Sequence, residues 1–384
     1  MENRAVPNIT HFCTLPFNGA QIDEEGKVTP CCNWDPSDQK GWPKLENGLH
    51  EALHHPRFQE VRSNMLNQID TPGCRKCFEN EKAKKESTRL SNLSRDKDWI
   101  KETYHNNLFN KDFHELHYLD TTFSILCNLS CRMCNSGVSS TYGKIVGKNK
   151  LADSFNISEV DIDVSKLNRL KFVGGEPLIE PKHNLFIEKI VSKGVKLKNL
   201  DLIYHTNATK LPTKAVQEVW KKCKSVQINL SIDAYGDMNW QQRPGPYTWN
   251  DIEKVCTQYK QWARDWKNIN IRVSSVITKI NVFYLHELEN WINTFWGSEF
   301  KDKDSSFFGA YCIEWPKQLS ICDWHNNEDK KQKVKEYLNK LEHKKIKNHI
   351  LHWIDNDIGI YHQSFKYETS KLNEYWKYDI DKYL

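Results

Sequence analysis

The chain has 384 residues, enough for two to three domains or for one α/β barrel with additional segments. Hydrophobic residues make up 38% of the chain and aromatic residues 12%, which excludes an intrinsically disordered protein. The formal net charge of +5 is spread along the chain and indicates neither nucleic acid nor a membrane as a partner. The first residues lack a secretory signal pattern and no apolar stretch reaches 18 residues, so we expect a soluble cytoplasmic protein.

The first 85 residues are rich in turn signals and contain one legible helix. Its apolar side chains recur at helical spacing, at Phe58, Val61, Met65 and Ile69. A polar stretch over 82–111 follows, which predicts a helical or irregular connector.

From residue 116 short apolar runs alternate with amphipathic segments, the pattern of repeated βα units around a parallel sheet. Strands are predicted near 119–126, 168–173, 199–204, 225–232, 269–277 and 307–314. Helices are predicted near 137–147, 183–193, 213–222, 250–265 and 283–295. Six βα steps indicate a partial (β/α)6 TIM-like barrel, in which functional residues lie at the carboxyl ends of the strands. After residue 327 one helical stripe and several aromatic residues predict a helix packed against the barrel.

The twelve cysteines are the most informative feature of the composition. In a reducing cytosol they indicate metal or redox chemistry better than a disulfide framework. Cys127, Cys131 and Cys134 form a CxxxCxxC loop directly after the first predicted barrel strand. Structural zinc requires four protein ligands, and no fourth is evident in this loop. Three thiolates on a [4Fe–4S] cluster would leave one iron open to an exogenous ligand.

The CxxxCxxC loop resembles the signature of the radical S-adenosylmethionine (SAM) superfamily. The resemblance implies that the open iron binds SAM, whose reductive cleavage gives a 5′-deoxyadenosyl radical. Met133 then lies at the position that usually contacts adenine.

A second motif lies at the end of the next predicted strand, in Gly174-Gly175-Glu176-Pro177. Two glycines allow a ligand to approach the backbone, and a carboxylate can accept hydrogen bonds from an ammonium group. The segment is similar to the family's GGEP motif, which implies that Glu176 holds the SAM amino group.

The third and fourth predicted strands end in further motifs. Asn207 lies in a segment similar to the family's TNG region. Ser231 and Asp233, followed by Arg243, resemble the SLDG…R arrangement of the sulfatase-maturase-like branch, with Ala234 in place of the usual glycine. The resemblance implies that Ser231 and Arg243 bind the SAM carboxylate, for which a guanidinium fork is suited.

A second cysteine group lies near the N-terminus. Cys13, Gly26 and Cys31 have the CxnGx4C spacing of SPASM and twitch modules, and Cys74 with Cys77 would complete four ligands. Four thiolates would saturate an auxiliary [4Fe–4S] cluster. Tetrahedral zinc is the alternative. Cys32 is adjacent to Cys31, and the glycine spacing favours Cys31 as the ligand.

One further cysteine is a candidate for the reaction itself. Cys312 lies on the last predicted strand, where it could donate a hydrogen atom to a substrate radical. The alternative is a buried structural cysteine.

The resemblance predicts a radical SAM enzyme with two [4Fe–4S] clusters and SAM, acting on a peptide or peptide-derived natural product. The alternatives are a radical SAM enzyme for a sugar or nucleotide, and a non-catalytic zinc or iron–sulfur protein. A reduced flavodoxin or ferredoxin is the implied electron donor. The expected parts are a twitch-like module (1–85), a connector (86–115), the radical SAM core barrel (116–320) and a C-terminal helical extension (321–384).

Overall fold

The protein is described by a computed structural model over residues 10–38, 40–46, 48–82, 86–148, 156–301 and 307–384. Residues 1–9, which contribute to the expectation about a secretory signal, lie outside these ranges. Among the described residues, no helix is both long enough and apolar enough to cross a membrane.

Within these ranges eight strands form one sheet. The strands are Gly19–Ile22 (β1), Val28–Thr29 (β2), Tyr118–Thr122 (β3), Arg169–Val173 (β4), Asp201–Thr206 (β5), Ser225–Ser231 (β6), Ile269–Ile277 (β7) and Phe308–Cys312 (β8). Their order is β2-β1-β3-β4-β5-β6-β7-β8. The β1–β2 pair is antiparallel and the other six pairs are parallel. The predicted partial α/β barrel is therefore confirmed, with β2 and β8 at its open edges.

Helices connect and cover the strands. The first eight α-helices are Leu15–Asn18 (α1), Leu49–Leu53 (α2), Pro56–Leu66 (α3), Arg75–Lys82 (α4), Thr88–Arg95 (α5), Lys97–His105 (α6), Ser140–Val146 (α7) and Pro181–Ser192 (α8). The others in the described ranges are Lys214–Lys222 (α9), Asp237–Gln242 (α10), Trp249–Asp265 (α11), Leu285–Trp291 (α12), Ser298–Lys301 (α13), Glu328–Leu338 (α14), Lys344–Ile354 (α15) and Phe365–Trp376 (α16). A π-helical segment, Ile292–Trp296, continues α12.

Side chains alternate between the two faces of the strands. Tyr204 of β5 packs on Trp220 of α9, with ring centroids 4.8 Å apart, and its hydroxyl lies 2.9 Å from Nε2 of His183 on α8. Because neighbouring side chains on a strand point to opposite faces, His205 points into the barrel. The register pairs Asp120 of β3 with Lys171 of β4, whose Nζ donates to Asp120 Oδ2 at 2.8 Å. The interior of the barrel is therefore polar.

The N-terminal residues are joined to the barrel in two ways. Strand β1 pairs with β3, placing Gln21 beside Asp120. Buried side chains of the N-terminal part, such as Phe17 and Phe58, belong to the same hydrophobic core as the barrel strands. An ion pair of 3.3 Å between Lys76 Nζ and Glu314 Oε1 links α4 to the chain that follows β8.

Candidate active site

The three-cysteine loop leaves the carboxyl end of β3 and is fixed by hydrogen bonds from α7. Ser139 caps the helix by accepting from the Tyr142 N–H at 3.2 Å, and its hydroxyl donates to the Leu129 carbonyl at 2.7 Å. Thr141 Oγ1 donates to the Cys127 carbonyl at 2.6 Å. The N-cap residue and a hydroxyl in the first turn thus supply hydrogen bonds to carbonyls of the loop.

The three thiols lie together and are mostly buried. Cys127 and Cys131 are buried and Cys134 is half-buried, all in one small apolar cluster. Burial, and next the neighbouring Cys131, raises the pKa of the Cys127 thiol to about 12. A side-chain hydrogen bond between Cys131 and Cys134, together with burial, holds the pKa of Cys134 well above its ordinary value. Three neighbouring thiols in a mostly buried site are chemically suited to a soft metal centre.

The two glycines after β4 bring the backbone close to this loop. A Cβ at Gly175 would lie 2.1 Å from the Leu126 carbonyl oxygen, and Gly174 has φ +124°. The Glu176 N–H donates to that Leu126 carbonyl at 2.7 Å. The close approach that the sequence predicted for a ligand is, in this structure, an approach to the cysteine loop itself.

Glu176 is the buried carboxylate of the site, with 1% of its surface exposed. It accepts from Thr206 Oγ1 at 2.8 Å and from the Asn207 N–H at 2.7 Å. Burial outweighs these donors and raises the pKa of Glu176 to about 7. Asn207 Nδ2 lies 3.9 Å from Cys127 Sγ. Asn207 therefore lies between the Glu176 carboxylate and the thiols.

Arg243 is held against the thiols by Asp233. Its Nε and Nη2 donate to the two oxygens of Asp233, at 2.5 and 3.0 Å, and its Nη1 lies 3.7 Å from Cys131 Sγ. The Asp233 side chain is fully buried and also accepts from the Val276 N–H at 2.7 Å. Ser231 ends β6 half-buried, beside Ser274 of β7 in the register.

Met133 lies between the loop and a second apolar cluster. It packs against Cys127, Leu129 and Cys131 on one side. On the other side lies a cluster of Ala234, Met238, Ile280, Ile313, Leu319, Phe365 and Ile380. The structure thus brings Met133, Asn207, Asp233 and Arg243 around the three cysteines, with Glu176 behind Asn207.

The second cysteine group also comes together in space, from separate parts of the N-terminal segment. Burial raises the pKa of Cys13, and the next causes include the nearby Cys74 and Cys77. Burial likewise holds the pKa of Cys31 well above its ordinary value, with Cys13 and Cys77 among its neighbours. Cys74 interacts in the same way with Cys31 and Cys77.

Cys32 follows Cys31 and is the thiol that acts most strongly on the charge of Cys31, but the charged groups that act on Cys32 itself are Lys171 and Asp120. Of the twelve cysteines it alone is exposed, and Lys171 Nζ lies 3.5 Å from its Sγ inside the barrel.

Cys312 faces away from the barrel interior. Its side chain is buried in the main hydrophobic core, with 6% exposed, and its N–H donates to His349 Nε2 of α15 at 3.1 Å. Its neighbour Tyr311 lies on the opposite face and is 64% exposed. The structure does not bring Cys312 together with the three-cysteine loop, and its surroundings are those of a core residue.

The arrangement of the cysteine thiols decides which kind of metal centre they could hold. Among the described residues, no three His, Cys, Asp or Glu side chains converge as ligands of a single ion. In a [4Fe–4S] cluster each thiolate binds a different iron, so the sulfurs need not meet at one point. One group of three and one group of four neighbouring thiols, buried or half-buried, are compatible with such clusters.

Two features of the site were missed by sequence reasoning. Arg132, within the cysteine motif, is buried and contacts the C-terminal residues Asn373 and Tyr378. Lys171 and Asp120 form an ion pair inside the barrel. Arg132 was visible in the motif, but its partners are about 240 residues away and carry no local signal.

No protein-family model and no curated protein matches the chain. Among solved structures, anSMEcpe with bound AdoMet is 17% identical, with a TM-score of 0.37 over 64% of this chain and 63% of that one. Streptococcus suis SuiB bound to S-adenosylmethionine is 14% identical, with a TM-score of 0.33 over 84% of this chain and 67% of SuiB. The chain therefore spans a little under two thirds of anSMEcpe.

Proposed function

We propose that the protein is a radical SAM enzyme. The observation that carries the proposal is that Cys127, Cys131 and Cys134 lie in one cluster beside Arg243, whose Nη1 lies 3.7 Å from Cys131 Sγ. A purely structural thiol site has no need for a guanidinium aimed at it. The site lies at the carboxyl ends of the parallel strands, where ligands bind in α/β barrels.

The three cysteines would hold the first [4Fe–4S] cluster. When bound, that cluster would supply the electron that cleaves SAM to a 5′-deoxyadenosyl radical. Asp233 occupies Nε and Nη2 of Arg243 and so fixes the guanidinium with Nη1 toward the thiols. A fixed guanidinium edge can bind the SAM carboxylate without losing rotamer freedom.

Glu176 would bind the SAM amino group. Its two oxygens accept from Thr206, Asn207 and Leu178, which orients the carboxylate. Burial destabilises the ionised form of Glu176. A positive ammonium group beside the carboxylate would stabilise this form by making a buried ion pair with it. Met133 would offer an apolar surface to the adenine, and Ser231 one hydroxyl to the carboxylate.

The four thiols of Cys13, Cys31, Cys74 and Cys77 would hold an auxiliary cluster. Their mutual proximity supports one shared centre, and four thiolates would leave it with no open iron. Such a site transfers electrons or stabilises the N-terminal fold. Zinc is the competing occupant.

For the substrate we propose a peptide or a peptide-derived natural product, as the sequence resemblance implies. The polar interior of the barrel, with Lys171, Asp120 and His205, offers donors and acceptors to amide groups. Candidate peptides and sugar nucleotides can be compared by how strongly each stimulates 5′-deoxyadenosine formation. Stimulation by sugar nucleotides alone would replace the peptide proposal.

The decisive experiment is anaerobic reconstitution with iron and sulfide. We expect about eight irons per chain and reductant-dependent formation of 5′-deoxyadenosine from SAM. Cys131→Ala should abolish cleavage and leave about four irons, whereas Cys223→Ala, which removes a buried thiol outside both groups, should retain cleavage. Zinc binding without SAM cleavage would contradict the enzyme and support a metal-binding protein.

A further inference from the structure

The three-cysteine loop is tied to the end of the chain through Arg132. Nη1 of Arg132 donates to Asn373 Oδ1 at 2.9 Å and Nη2 to the Tyr378 carbonyl at 3.2 Å. Its backbone N–H donates to the Gln242 carbonyl at 2.8 Å, directly before Arg243. Arg132 therefore joins the loop to the segment that carries Arg243 on one side and to the C-terminal residues on the other.

Two further hydrogen bonds, to Ser130 and from Tyr142, join the loop and helix α7 to the C-terminal segment. Trp376 Nε1 donates to Ser130 Oγ at 2.7 Å, and the Trp376 ring packs edge-on against Trp240, with centroids 5.7 Å apart. Along α16, Glu368 is 3% exposed and accepts from the Tyr142 hydroxyl at 2.8 Å. Tyr142 belongs to α7, the helix that fixes the loop.

The Arg132 side chain is buried in this contact. It is 3% exposed and donates to acceptors on Gln241, Asn373 and Tyr378. The carboxylates that act on its charge, Asp379 and Asp381, belong to the same C-terminal segment. Removing buried acceptors leaves donors without partners, so the loop and the C-terminal segment stabilise each other.

We propose that the C-terminal segment, residues 365–384, is part of the active site: it holds the three-cysteine loop in place through Ser130, Tyr142 and the positioning residue Arg132. The inference rests on the proposed function, which makes this loop the place where the first cluster binds. The hydrogen bonds that make the connection are present in the chain itself.

The contact between the three-cysteine loop and the C-terminal segment can be tested on cluster-free protein. Cysteine labelling with iodoacetamide, read by mass spectrometry, measures how often the loop opens. Trp376→Phe keeps an aromatic ring but removes the donor to Ser130, and we expect labelling of Cys127, Cys131 and Cys134 to rise about five-fold. Labelling of Cys31 and Cys74 is the control within the same molecule. Tyr367→Phe, on an exposed side chain of α16, should change neither group.

The role of Arg132 is tested by the same labelling. Arg132→Gln removes the guanidinium that donates to Asn373 and Tyr378, and we expect labelling of Cys127, Cys131 and Cys134 to rise while that of Cys31 and Cys74 stays unchanged. Arg132→Lys keeps a donor on a long side chain and should restore part of the protection.

The outcomes separate this inference from the proposed function. Equal labelling in the wild type and in Trp376→Phe would overturn the mechanical role of the C-terminal segment. Equal labelling in the wild type and in Arg132→Gln would overturn the role of Arg132. A wild-type protein that binds no iron or cleaves no SAM would instead refute the proposed function, and the labelling result would still decide the C-terminal contact.

Discussion

Asp233 and Arg243 form a two-pronged ion pair in which the carboxylate is fully buried and the guanidinium points its remaining amino group at Cys131. The pair joins the end of β6 to the segment after α10. Removing one partner of a buried pair leaves the other charge without compensation, which costs more than the pair contributes when intact. The geometry of the site therefore depends on both residues.

Asp233→Asn should lower the free energy of unfolding of the cluster-free protein by about 3 kcal/mol. It should also weaken SAM binding, because Arg243 loses the partner that orients it. Chemical denaturation and equilibrium binding measure the two effects. Asp237→Asn, on an exposed carboxylate four residues away, is the matched control and should change neither. Unchanged SAM affinity in Asp233→Asn would contradict the orienting role.

Gly175→Ala should disrupt the three-cysteine loop. The added Cβ would lie 2.1 Å from the Leu126 carbonyl oxygen, which is backbone and cannot rotate away. We expect a loss of stability of about 2 kcal/mol or more and a loss of iron from the loop. Gly309→Ala is the control, since its Cβ would meet nothing closer than 3.5 Å. Iron analysis and thermal unfolding distinguish the two, and normal iron content in Gly175→Ala would refute the predicted contact.

Glu176 should make the stability of the ligand-free protein depend on pH. Its pKa is about 7 in the folded chain, raised by burial, against an ordinary value of 4.5. Between these values the folded state keeps a proton that the unfolded state has lost, so rising pH destabilises the folded state. The free energy of unfolding of the wild type, relative to Glu176→Gln, should fall by about 3 kcal/mol between pH 4.5 and 7. A constant difference across this range, measured by urea denaturation, would contradict the raised pKa.

Cys31 and Cys32 provide a matched pair for the second thiol group. Cys31 lies among Cys13, Cys74 and Cys77, whereas Cys32 Sγ lies 3.5 Å from Lys171 Nζ. After reconstitution, Cys31→Ala should retain about four irons and Cys32→Ala about eight. A loss of four irons in Cys32→Ala would reverse the assignment of the ligand.

Much of the barrel could be predicted from the sequence because its signals are local. Apolar runs of five to nine residues separated by amphipathic helices predicted β3 to β8, and all six strands are present. The hairpin of β1 and β2 was missed because four and two residues are too short for a periodic pattern. That hairpin extends the sheet through pairing with β3, a long-range contact that no local pattern encodes.

The residues of the candidate site also divide into those that lie close in sequence and those that only the fold brings together. Cys127, Cys131 and Cys134 lie within eight residues, so their spacing alone brings them together. The contacts between Gly175 and Leu126, and between Arg132 and Asn373, join segments that are distant in sequence. Such contacts depend on how the barrel and the C-terminal helix pack, which a single sequence does not display.

Two roles were considered for Cys312, a hydrogen donor in the barrel and a buried structural cysteine, and they require opposite faces of its strand. The sequence placed it on the last barrel strand, and the structure places its side chain in the hydrophobic core against α15. Cys312→Ala should lower the free energy of unfolding by about 1–2 kcal/mol, because it leaves a small cavity. It should preserve 5′-deoxyadenosine formation and the conversion of substrate. Cys256→Ala, also fully buried, should show a similar loss of stability. A Cys312→Ala protein of normal stability that forms 5′-deoxyadenosine but no product would instead support hydrogen donation by Cys312.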